Sequence, residues 1–267
     1  MGDKSIIKIS APDYRAFWKL PVLFEGGGLL ALEKPAHVLV SPEKQRADDP
    51  VLTKLLQRDL ARKAAWTQER DYSFLDLIYT LDLETTGVIL FATDKAVFEG
   101  LRNDFGARQM ESRFTALAHG IPEEDQFETD LKMAPHPARE WEMRINRTKG
   151  KQSLTQFRVA ERFRSCSLLE CTSSTLRPHQ VRVHLQHQGF PVVGDSLYGG
   201  ELLMLSQIKR KYRSKRDTPE KPLLDRSAIH LSKLKFTHPG TQEAIEIESP
   251  LATDMTVALK FLRQFSR

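Results

Sequence analysis

Two cysteines, Cys166 and Cys171, are too few for a disulfide framework. Their odd separation puts them on opposite faces of any strand that carries both, so they are not read as a pair or as metal ligands. Long apolar runs are missing, so nothing is read as a membrane span. Met1 to Ser10 is too short and mixed for an export signal, and a reducing cytoplasmic setting is the expectation. Gly26-Gly27-Gly28 lacks the lysine-serine ending and the following helix of a phosphate loop, and is read instead as a hairpin joining Val22–Glu25 to Leu29–Glu33. Regular strand-helix alternation is absent, which argues against a dinucleotide-binding fold. His179, His184 and His187 have no cysteine or carboxylate set to complete a metal site, so no metal is expected.

Charge is not balanced either. Over 267 residues the formal net charge is +5, a modest tilt toward an anionic partner such as nucleic acid. With 40% hydrophobic and 28% charged residues the chain is globular, long enough for one good-sized core or two smaller lobes. The short strand spacing predicts an α+β architecture: a mixed, mostly antiparallel central sheet with flanking helices.

The organising stretch is Tyr79 to Ala92. A polar turn with Asp82, Glu84, Thr85, Thr86 and Gly87 feeds into the apolar strand Val88–Ala92, which mounts a carboxylate on a rigid support. Ahead of it, Asp49-Pro50 predicts a helix start, with an apolar face through Val51, Leu52, Leu55, Leu56 and Leu60 broken by Asp59. After it, Thr93 or Asp94 caps a helix that repeats Val97, Leu101 and Phe105, with Arg102 and Arg108 toward its outer face. Strands are expected at Phe114–Ala118, Phe157–Ala160, Ser167–Thr172 and Ala228–Phe236, and Asp254 is expected to cap a last helix. Between the first two, Ile121 to Lys149 reads as a polar excursion. In it Arg144 and Arg147 are candidate RNA-backbone contacts, and Trp141 is either a stacking platform or an anchor. Lys209, Arg210, Lys211 and Arg213, in a basic run reaching Arg216 with Tyr212 among them, are further phosphate candidates or a solvated loop.

The most specific polar constellation is Leu176-Arg177-Pro178-His179-Gln180-Val181-Arg182-Val183-His184, on a helix opened by Pro178 and closed near Gly189. With its continuation Gly189-Phe190-Pro191-Val192-Val193-Gly194-Asp195-Ser196-Leu197-Tyr198-Gly199, it resembles the Gly-Arg-Thr-His-Gln-Ile-Arg and Gly-Asp-Xaa-Xaa-Tyr-Gly motifs of the RluA-type pseudouridine synthases. Tyr79-Thr80-Leu81-Asp82 resembles their His-Arg-Leu-Asp motif with the aspartate kept and the His-Arg pair replaced. Lys34-Pro35-Ala36-His37 resembles their Lys-Pro-Ala-Gly segment, with His37 where glycine is usual. Ser112 and Phe114 stand where the family carries lysine and tyrosine.

The resemblance runs from about Val22 to Leu262. It implies a short N-terminal arm over residues 1–20, no separate N-terminal RNA-binding domain, and a single catalytic domain over 21–267. It implies isomerisation of uridines in structured RNA, ribosomal or transfer, without a cofactor, a membrane or a required protein partner. Asp82 would start cleavage of the base-ribose bond, by attack on the sugar or through a glycal-like intermediate. Arg182 would pair with Asp82, Phe114 would stack on the base, and Arg177 and Lys34 would support the cleft or the RNA. The second reading is a noncatalytic RNA-binding protein derived from such an enzyme, suggested by Thr80 and Phe114. Retention of Asp82 and Arg182 favours the enzyme.

Overall fold

The computed structural model describes residues 5–106, 110–213 and 219–266, with backbone only for 103–106. Two compact units divide the chain: Met1–Glu111 with Leu231–Pro250, and Ser112–His230 with Leu251–Arg267.

The first unit opens with β1 (Ile6–Ala11) and β2 (Ala16–Gly26), antiparallel with Ile6 opposite Pro21. Residues 1–20, read from sequence as an arm, therefore hold a strand and the start of another. Ile7, Ile9 and Ala11 point inward and alternate with exposed Lys8 and Ser10, the period of a half-buried strand. The expected hairpin joins β2 to β3 (Leu29–Lys34), and Gly27 and Gly28 take φ of 59° and 74°, as a tight hairpin turn requires.

Helix α1 (Leu52–Ala61) starts two residues later than Asp49-Pro50 suggested, with Val51 at its N-cap and no side-chain cap. The aspartate in its apolar face is buried and compensated. Asp59 accepts from Trp66 Nε1 at 3.0 Å and pairs with Arg58 at 3.1 Å and Arg62 at 2.9 Å. The single turn α2 (Ala65–Gln68) and the short β4 (Asp76–Leu77) lead to β5 (Thr86–Ala92), buried throughout its length. β5 pairs with β3, placing Gly87 opposite Lys34. Asp94 caps α3 (Lys95–Gly106) as expected, accepting from Ala96 N at 2.8 Å and Val97 N at 3.0 Å. Arg102 lies over the Phe98 ring at 5.4 Å, and Arg108 is outside the described residues.

The second unit contains β6 (Glu111–His119), β7 (Gln126–Asp130), β8 (Met133–Pro135), β9 (Met143–Ile145), β10 (Leu154–Arg162) and β11 (Cys166–Ser173). β6, β11, β10 and β7 pair in that order, all antiparallel, and β8 and β9 form a separate ribbon. The polar excursion thus holds three short strands that its composition concealed. Cys166 and Cys171 are both buried free thiols, and burial pushes Cys166 up to about 12.

Helix α4 (Gln180–His187), the single turn α5 (Leu205–Ile208) and β12 (Ile229–Thr237) follow. From Leu231 onward β12 belongs to the first unit, where it neighbours β5 and pairs with β13 (Ala244–Glu248). The last helix, α6 (Thr253–Phe265), has Ala252 at its N-cap rather than Asp254. The carboxylate is used elsewhere: Arg226, fully buried, donates to Asp254 at 2.7 and 2.8 Å and to the carbonyls of Ser227 and Ile229. Burial raises the Asp254 carboxyl, but the Arg226 hydrogen bonds and charge outweigh it and hold the group below its usual range. The whole is the α+β fold anticipated, with mostly antiparallel strands and flanking helices.

Gly87 is where the first unit tolerates no side chain. Its φ is 114°, and a Cβ there would lie 2.2 Å from the Leu231 carbonyl oxygen. Gly87→Ala is expected to cost about 3 kcal/mol, the upper range for a strained backbone position, measured by denaturant unfolding. A loss below about 0.5 kcal/mol would show that β12 moves aside.

Candidate active site

In the first unit the Asp82 turn is held from below. Lys34 has 0% exposure, and its ammonium donates to Pro35 O at 2.9 Å, Leu83 O at 3.0 Å and Thr85 O at 2.8 Å. An ammonium has three protons, and three carbonyls around the turn receive them. Lys34 therefore helps to hold the turn that carries Asp82. His37 N donates to Leu83 O at 3.0 Å, and Thr85 N to Asp82 O at 3.1 Å, closing the turn on itself. Tyr79, in the place of the family histidine, is buried and donates its hydroxyl to Val88 O at 2.7 Å. That bond ties the strand entering the turn to the strand leaving it. His37 has φ of 58°, the left-handed region, so the backbone that suits a glycine is kept although the residue is not.

Asp82 itself is half-buried, and Thr80 is exposed. Sequence reading missed a second carboxylate in its electrostatic surroundings. Burial raises the Glu43 carboxyl, Arg46 lowers it, and the charges of Asp82 and Asp49 raise it again. No local motif marks Glu43, because chain folding rather than spacing brings it within reach of Asp82.

In the second unit the two tandem motifs interlock. Arg182 on α4 donates Nε to Asp195 Oδ2 at 2.6 Å and Nη2 to Asp195 Oδ1 at 2.8 Å, a buried bidentate pair. Its guanidinium also stacks over the Tyr198 ring at 4.9 Å. Tyr198 accepts from Met143 N at 2.9 Å, which leaves its own proton for His179 Nδ1, 2.7 Å away. His179 holds the helix N-cap at φ of 55°, and α4 begins at Gln180, two residues beyond Pro178. Gly189, at φ of 83°, follows its end as expected. The position of Gln180 is secured by Thr175 and Arg177, which donate to its Oε1, and by Leu154 O, Thr155 Oγ1 and Ser173 Oγ, which accept from its Nε2. His179, Tyr198 and Asp195 thus form one hydrogen-bonded set that orients the Arg182 guanidinium, while Gln180 fixes the start of the helix that carries it.

The remaining predicted residues have different surroundings. Phe114 lies on β6 at 5% exposure. Arg177 is half-buried, with a buried Nε that has no hydrogen-bond partner among the described residues. Arg144 on β9 and Arg147 after it are exposed, as are Arg210, Lys211 and Arg213. Lys209 lies over the Phe265 ring at 5.1 Å and so packs against α6, and positions 214–218 fall outside the described residues. Among the described residues no cluster of three His, Cys, Asp or Glu side chains could hold a metal, and no helix is long and apolar enough to cross a membrane.

The first unit thus holds a carboxylate on a clamped turn, and the second a buried arginine oriented by Asp195. The family model described as RNA pseudouridylate synthase matches residues 28–187. The ribosomal large subunit pseudouridine synthase D of Xanthomonas campestris is 30% identical over 92% of this chain and 70% of its own length. That of Nitrosomonas europaea is 31% identical over 91% of this chain and 65% of its own. The solved structure of human RNA Pseudouridylate Synthase Domain Containing 4 shares the fold, with a TM-score of 0.67 at 20% identity, covering 91% of this chain and 92% of that one. The chain belongs to the RNA pseudouridylate synthase family and is an enzyme that isomerises uridine in RNA to pseudouridine.

His184, on the same helix, carries a pH signature. Burial lowers it from 6.5 to about 4, against a smaller opposing effect of the Leu131 carbonyl. The unfolded chain binds this proton more tightly, so the stabilisation is full above pH 6.5 and is lost as pH falls toward 4. Native protein should lose up to about 3 kcal/mol over that window through this group. A His184→Gln variant should show a shallower decline in unfolding free energy; an unchanged slope would remove His184 from the acid response.

Proposed function

We propose that the substrate is large-subunit ribosomal RNA and that Asp82 supplies the carboxylate of the reaction. The names of the relatives support the first part. The second is supported by one observation, the buried Lys34 ammonium donating to Leu83 O and Thr85 O, on the backbone that presents Asp82. A buried charge committed to one turn holds a side chain whose position matters.

In this reading Asp82 begins cleavage of the base-ribose bond, and the detached uracil turns and rejoins through carbon 5. Phe114 offers a ring for the base, without the hydroxyl that a tyrosine would add. Arg182 supplies a fixed positive charge already aimed by Asp195, so little reorganisation is required when negative charge develops. Arg177 supports the bound RNA. Arg144, Arg147, Arg210, Lys211 and Arg213 contribute phosphate contacts, which makes binding fall with salt. The target uridine leaves its stack to react. The setting is cytoplasmic, where ribosomal RNA is available.

The test is site-resolved pseudouridine mapping after incubating unmodified ribosomal and transfer RNA with native protein and with Asp82→Asn. Native protein should modify large-subunit RNA, and the variant should lose at least about a thousand-fold in rate while still binding. Modification confined to transfer RNA would replace the substrate assignment. Undiminished turnover by Asp82→Asn would remove the carboxylate from the chemistry. RNA binding without pseudouridine from either form would favour the noncatalytic reading.

A further inference from the structure

Trp141 does not anchor the segment that carries it. The ribbon of β8 and β9 is fastened by other residues: Met133, Met143 and Ile145 pack with Val183 and Tyr198, and Met143 N donates to the Tyr198 hydroxyl. Trp141 stands apart from that cluster at 49% exposure. An exposed indole is costly in water and is uncommon on a surface that has no use for it.

The connection that bears it is nevertheless built. His136 N donates to Glu142 O at 2.7 Å, Glu142 N to Arg139 O at 2.8 Å, and Ala138 N to His136 Nδ1 at 3.2 Å. Arg139 pairs with Glu142 at 2.8 Å, which neutralises one of the two acidic residues that flank the indole, the other being exposed Glu140. Exposed Arg144 and Arg147 follow, and Asn146 Oδ1 accepts from Thr148 N and Lys149 N to shape the turn beyond them. An exposed aromatic ring on a segment that also carries exposed arginines fits an unpaired nucleotide, with the ring taking the base and the guanidinium groups its phosphates.

The mounting gives the ribbon a route to the site. Tyr198 bonds both Met143 of the ribbon and His179 of the arginine helix, and its ring lies under Arg182. We infer that the β8–β9 ribbon is an RNA-reading element in which Trp141 stacks on an unpaired base of the substrate outside the reacting uridine. This inference rests on the RNA-modifying activity and adds a specificity-determining residue to it.

The experiment compares native protein with Trp141→Ala and Trp141→Phe in two assays. The first follows intrinsic fluorescence during titration with a twelve-nucleotide oligouridine. Native protein should be quenched, and Trp141→Phe should bind nearly as well with most of that quenching gone. The second follows pseudouridine formation on pooled unmodified cellular RNA. Trp141→Ala should raise KM about ten-fold, the loss falling on KM rather than kcat, and Trp141→Phe should recover most of it. Quenching that persists in Trp141→Phe, together with an unchanged KM in Trp141→Ala, would overturn the inference. If native protein forms no pseudouridine, the enzymatic reading fails, and the fluorescence titration still decides whether Trp141 meets RNA.

Discussion

A buried ammonium must satisfy its three protons, and that constraint governs the first unit. Lys34 donates to Pro35 O just beyond β3 and to Leu83 O and Thr85 O within the Asp82 turn. Leaving it unpaired would cost several kcal/mol, so the turn and the end of β3 are held as one piece. The close passage of β12 over Gly87 and the Tyr79 hydroxyl on Val88 O tighten the same piece from other directions. Asp82 is therefore presented by a rigid frame even though it sits in a turn, the usual place for mobility.

The second unit applies the same principle to a positive charge. Asp195 accepts two hydrogen bonds from Arg182, Tyr198 lies under it, and His179 and Met143 hold Tyr198. Gln180 binds the helix start to β10 and β11. The pairing of two motifs that lie in tandem along the chain follows from this: one supplies the arginine helix, the other the groups that aim it. Loss of the family arginine at Thr80 and of the phenol at Phe114 leaves both frames intact.

Much of this was legible because it is local. The glycine hairpin, the buried strand after Asp82, the Asp94 cap and the helix ending near Gly189 each follow from residues within a few positions of one another. Long-range pairing left no such mark. Asp254 resembled a cap and proved to be the partner of Arg226, a residue with no sequence signal at all. Lys34 was placed near the cleft by resemblance alone, because nothing in its neighbourhood announces the two distant carbonyls, Leu83 O and Thr85 O, that receive its protons. The ribbon strands Met133–Pro135 and Met143–Ile145 are too short to show a period, and β1 was hidden in a mixed segment whose alternation spans only six residues.

Isomerisation of uridine to pseudouridine rejoins the base through carbon 5, a step that must expel the hydrogen at that carbon. The most direct measurement is release of tritium to water from ribosomal RNA labelled at uridine carbon 5, with native protein in stoichiometric excess. The expected result is a single burst equivalent to a small whole number of uridines per RNA. RNA that is bound throughout and releases no tritium would contradict it.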